Sequence, residues 1–154
     1  SMVAMIVLLA ALIAIYLRLG IGISPTSLSE RVRITLPFSL YLGWISVATI
    51  ANASYVLYDL GWDGFGISGA VWATLMLVVA AGLTAAIIAR RHDIVYTLVI
   101  CWAFAGIAIK QSETQLVETS AIVLTILLLI ILASALLVSG REKRKTPPLG
   151  AAPA

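Results

Sequence analysis

The stretch Tyr41–Asn52, YLGWISVATIAN, carries side chains with chemistry to offer inside a run otherwise suited only to a lipid bilayer. On a helix, Trp44, Ala48, Asn52 and Tyr55 are spaced by four, four and three and share one face. Ser39, Gly43 and Ser46 form a neighbouring stripe. The Asn52 amide needs a partner in a dry medium. Trp44 lies ~15 Å along its span, near the midplane and outside the interfacial belt where tryptophan is usually enriched. This face is therefore expected to turn inward, towards other helices or a bound molecule. Trp102, in a later span, falls at similar depth, and two indoles at one level could flank a flat aromatic molecule. Gly106, four residues on, is expected to allow a close helix approach.

Other chemistry is sparse. Cys101 is the single cysteine, so no internal disulfide forms and no cysteine metal cluster exists; it reads as a small buried residue. His92, in RRHD, has no partner histidine. No paired carboxylates, metal cluster, activated nucleophile or glycine-rich phosphate loop is visible, which argues against an enzyme. No charged residue lies deep within a span, which argues against ion-coupled transport.

The elements that must position these residues are transmembrane helices. Of 154 residues, 62% are hydrophobic and 11% charged, against roughly a quarter charged in soluble domains. Five apolar spans are expected, at 2–19, 34–58, 66–89, 94–109 and 116–139, joined by short loops. The fold class is all-α: a polytopic five-helix membrane bundle over residues 1–140. Residues 141–154, basic and then Pro/Ala-rich, are expected to form a disordered cytoplasmic tail. Arg18, Arg31 and Arg33, then Arg90 and Arg91, then Arg141, Lys143, Arg144 and Lys145 fall on one side, and Lys110 alone on the other. Nine against one places the N-terminus out and the C-terminus in by the positive-inside rule. The basic excess thus needs no nucleic-acid partner. Asp59, Asp63, Glu113 and Glu118, with Trp62 and Phe65, make the opposite rim acidic. The first span lacks a charged leader and a cleavage site, so it is expected to be a membrane span and not a signal peptide. The chain is either a native start behind a short scar or a piece of a longer protein.

Small residues Gly66, Gly69, Ala70, Ala73, Ala80 and Thr84 make the third span a helix–helix seam, internal or homodimeric. The last span is expected to face lipid widely. Leu12–Arg18, LIAIYLR, fits a proposed sterol-contact pattern of low specificity.

Tyr41 and Leu42, then Trp44, then Ala48 and Thr49, then Asn52 together resemble the last helix of the TspO/MBR family, the tryptophan-rich sensory proteins. LPFSLYLGWISVATIAN, GWDGFG and WAFAGIAIKQS resemble a long subfamily, with likeness over nearly the whole chain. The early-helix Trp-x-Pro-Pro signature is missing, and Pro37 stands four residues before Tyr41 where the family has proline directly before tyrosine. The resemblance implies that this is the C-terminal part of such a protein. It implies a sensor or receptor for a hydrophobic ligand, with a porphyrin- or haem-type tetrapyrrole as the possible cofactor or cargo. Tyr41, Trp44, Ala48, Asn52 and Trp102 would contact that ligand. A structural or assembly subunit and a passive solute facilitator are the alternatives. The expected setting is the cytoplasmic membrane of a prokaryote.

Overall fold

A computed structural model describes residues 2–21, 31–61 and 63–145, with the backbone alone at 31, 32, 58 and 141–145. The capping residues and Pro25 of the first loop, Trp62, and tail residues 146–154 lie outside the described residues. Among the described residues there are five α-helices: α1 (Met2–Arg18), α2 (Leu36–Asp59), α3 (Gly69–Arg91), α4 (Ile94–Lys110) and α5 (Gln115–Lys145). No strand occurs among the described residues. The helices of α2, α3 and α5 are long and apolar enough to cross a membrane, while α1 and α4 have 17 residues each. At 1.5 Å per residue those two span about 25 Å, within reach of a bilayer core once terminal Arg18 and Lys110 extend to the headgroups.

Local chemistry sets the boundaries. A π-helical turn, Arg31–Thr35, leads into α2. The third helix begins at Gly69, later than its apolar run, because Gly64–Gly66 forms a 3₁₀ turn capped by Asp63 and because the Ser68 hydroxyl accepts from the Val71 amide. His92, at φ 51°, ends α3 in the left-handed conformation, and its amide closes on the Ile88 carbonyl. Asp93 then caps α4 at once, accepting from the Tyr96 amide. The last helix runs past Gly140 to Lys145, so residues 141–145, expected as disordered tail, are helical. Glu142, Lys143, Arg144 and Lys145 are good helix formers, and cations at a helix C-terminus complement its dipole.

Packing runs in the order α3–α5–α4–α2–α1, with α3 also touching α4. The fourth helix is the hub: Tyr96, Ile100, Cys101, Phe104 and Ala108 are buried on it. Gly43 lets α2 approach it closely; a Cβ there would stand 3.0 Å from Val99 Cβ. Gly106, by contrast, meets nothing and lies on the surface, so it makes no close approach. The small residues Ala80, Ala81 and Thr84 are buried within the chain. The α5 helix packs on α3 and α4 through Val117, Ala121, Leu128 and Leu132, and leaves its other faces open.

Antiparallel helices gather Arg18, Arg33, Arg90 and Arg91 at one end, called here the basic end. Asp59, Asp63, Lys110, Glu113 and Glu118 are at the other.

Candidate functional site

The basic end is tied together by a buried carboxylate. Asp93 follows the last arginine of RRHD, which reads as a loop, yet it is only 5% exposed. Its Oδ2 accepts from the Tyr16 hydroxyl at 2.7 Å and from the Ser39 hydroxyl at 2.6 Å. Its Oδ1 accepts from the Tyr96 amide at 3.1 Å. One side chain thus joins α1, α2 and the start of α4. Hydrogen bonds to a carboxylate are stronger than neutral ones, and a buried charge is tolerated only when satisfied in this way. Beside it, the Arg91 guanidinium lies 4.9 Å from the centre of the Tyr16 ring and donates to the Ile21 carbonyl at 2.9 Å. His92 Nε2 and Ser139 Oγ are 3.2 Å apart, which ties α5 to the same end.

Just inside this clasp lies a cavity of about 360 Å³. Leu9, Ile13, Tyr16 and Leu17 of α1 form one wall, and Leu42, Ser46, Thr49 and Ile50 of α2 the next. Leu83, Ala86 and Ile87 of α3 face them, with Arg90 and Arg91 at the basic end and Tyr96 of α4 at the base. The lining is apolar apart from a few hydroxyls and the two guanidiniums. A second cavity of about 270 Å³ lies towards the acidic end, between α2 and α3 above Phe104 and Ile107 of α4. Both exist because α2 and α3, although consecutive in sequence, barely touch; each packs on α4 instead.

The residues nominated by sequence lie elsewhere. Trp44 is 49% exposed and Trp102 66%, and their ring centres are 5.7 Å apart at 33°. The expectation that the two indoles share a level holds, but they contact each other directly and leave no room between them for a flat molecule. Tyr41 and Tyr55 are also exposed, and Ala48 and Asn52 half-buried, along the same flank of α2. None of Tyr41, Trp44, Ala48, Asn52 and Trp102 lines either cavity. The inward face of α2 is instead Ser39, Leu42, Gly43, Ile45, Ser46 and Thr49. Ser46 and Thr49 return their hydroxyl protons to the carbonyls of Leu42 and Ile45, so they pack without stranding a donor in an apolar medium.

Sequence reasoning missed Asp93 and Tyr16. An aspartate directly before an apolar run is an N-cap signal, and that much was legible. Its partners on α1 and α2, 77 and 54 residues away, were not. Leu12 and Tyr16 of the sterol-like pattern point into the core. Cys101 is free and buried. Among the described residues no group of three or more His, Cys, Asp or Glu could hold a metal ion.

No curated protein and no solved structure matches the chain. A family model does match, over residues 1–134, from the start of α1 to nearly two thirds of the way along α5. That range takes in the aromatic flank of α2, the Asp93 clasp and both cavities. The chain, an all-α bundle of membrane helices, belongs to the family of TSPO-like proteins.

Proposed function

We propose that this integral membrane protein is a receptor or sensor for a hydrophobic ligand, held in the cavity between α1, α2, α3 and α4. The observation that carries this reading is the cavity itself. Its volume of about 360 Å³ lies in the range of small-molecule sites, ~300–1,000 Å³. It pairs apolar walls with a few convergent polar groups, the pattern by which such sites fix orientation. Membership of the TSPO-like family supports the same reading, and a tetrapyrrole is the ligand that membership suggests. The orientation that fits the charge pattern has the N-terminus outside and the basic end in the cytoplasm, in a prokaryotic cytoplasmic membrane.

The aromatic flank supports a second site reading. Stacked, exposed indoles at Trp44 and Trp102, with Tyr41, Ala48 and Asn52 beside them, offer a surface on which a flat macrocycle could lie, though not a slot to enclose it. One titration separates the two. Purified protein in detergent receives a porphyrin while visible absorbance and tryptophan emission are followed. Binding lost in Ala86→Phe, which fills the cavity, and kept in Trp44→Phe and Trp102→Phe places the ligand in the cavity. The reverse pattern places it on the flank. No saturable binding by the parent protein overturns the tetrapyrrole reading.

A further inference from the structure

The two cavities follow one another along the cleft between α2 and α3. Ile50 lines both, so they adjoin at the middle of α2. Along α2 the lining runs from Leu42 to Ser54, about 18 Å of helix, and along α3 from Ala73 to Arg91, about 27 Å. Half of a ~30 Å hydrocarbon core is about 15 Å, so the lining is more than long enough to hold the chain of a lipid from one leaflet. It is lateral and narrow because α3 never closes on α2, and small residues at Ala51, Ala73, Ala80 and Ala86 keep its walls low. Its ends differ in charge. The basic end carries Arg90 and Arg91, and the far end the neutral amide of Gln111.

We infer that the cleft binds a single-chain anionic amphiphile, a long-chain carboxylate. The alkyl chain lies between α2 and α3, and the headgroup rests at Arg90 and Arg91. This rests on the reading that the cleft is the ligand site and names the class of ligand. A guanidinium has five N–H donors in a fork that matches a carboxylate. Arg91 donates from one amino nitrogen to the Ile21 carbonyl and keeps others for a ligand. Arg90 is exposed at the mouth. The nearby carboxylate of Asp93 does not line the cleft, and both its oxygens are engaged by Tyr16, Ser39 and the Tyr96 amide.

Nitroxide-labelled stearic acid and its methyl ester, added to the protein in neutral phosphatidylcholine vesicles, test this by the motionally restricted fraction in electron paramagnetic resonance. The acid is expected to bind about tenfold more tightly than the ester, the size of one charge-assisted contact. Arg90→Gln is expected to bring the acid close to the ester. Ala86→Phe and, independently, Leu83→Trp fill the cleft and are expected to abolish restriction of both probes, with slow reaction of the buried Cys101 thiol confirming the fold. Equal binding of acid and ester, unchanged in Arg90→Gln, overturns the anionic class while porphyrin binding by the same preparation still stands. Restriction that survives both cleft-filling variants places the label in the surrounding lipid and overturns the cleft as its site. Porphyrin binding lost with those variants while the acid stays bound overturns the inference and spares the receptor reading.

Discussion

Removing the Asp93 carboxylate should loosen the basic end of the bundle more than any other single change of similar size. Asp93→Ala deletes the N-cap of α4, worth about 1 kcal/mol. It also strands the hydroxyls of Tyr16 and Ser39, which are 3% and 0% exposed. A buried donor left unpaired costs about 1–3 kcal/mol, so the expected loss is about 3–7 kcal/mol. Asp93→Asn keeps the shape and one acceptor oxygen but loses the charge that strengthens both hydroxyl bonds, and should cost about 1–2 kcal/mol. The single cysteine supplies the assay. Cys101 is free and buried, so a thiol-reactive dye reports unfolding in detergent on heating. At about 2–4 °C per kcal/mol for chains of this size, Asp93→Ala should lower the midpoint by at least about 6 °C, and Asp93→Asn by an intermediate amount. Tyr16→Phe combined with Asp93→Ala should cost less than the two separately, because the Tyr16 hydroxyl can be stranded only once. A midpoint for Asp93→Ala within a degree of the parent, or strict additivity with Tyr16→Phe, would refute the clasp.

Three further outcomes follow from the geometry. Gly43→Ala puts a Cβ 3.0 Å from Val99 and should destabilise by about 1–3 kcal/mol; adding Val99→Ala should restore most of the loss in the same thermal assay. Trp44→Phe and Trp102→Phe should each change stability by no more than about 1 kcal/mol, since the pair is exposed, while emission spectra report loss of the indole–indole contact. Ser139→Ala removes an exposed contact to His92 and should shift the midpoint by less than about 0.5 kcal/mol in equivalent free energy.

The fate of Asn52 shows where sequence reasoning reached its limit. An amide and an indole on one helical flank suggested an inward face, yet among the described residues Asn52 has no hydrogen-bond partner, and Trp44 is half exposed. The flank that faces inward carries Leu42, Gly43, Ile45, Ser46 and Thr49, apolar or self-satisfied side chains that look no different from lipid-facing ones in a membrane sequence. In water, periodicity separates core from surface because only one of them is apolar. In a bilayer both are apolar, so the period says little about direction, and the low polarity contrast of α2 could not reveal which side meets α4.

The sequence by itself determined that this is an all-α membrane protein, that its apolar runs give the five helices of the described residues, and that its charges divide into a basic and an acidic end. Each of these follows from local composition: apolar run length, turn residues and the placement of arginines relative to the runs. Only the tertiary structure decided which flank of α2 is inside, that Asp93 is drawn from a loop into a buried clasp, and that α2 and α3 stand apart around a cleft. Those depend on which distant helices become neighbours, and a buried carboxylate is stabilised only when hydroxyls from α1 and α2 arrive together at the start of α4.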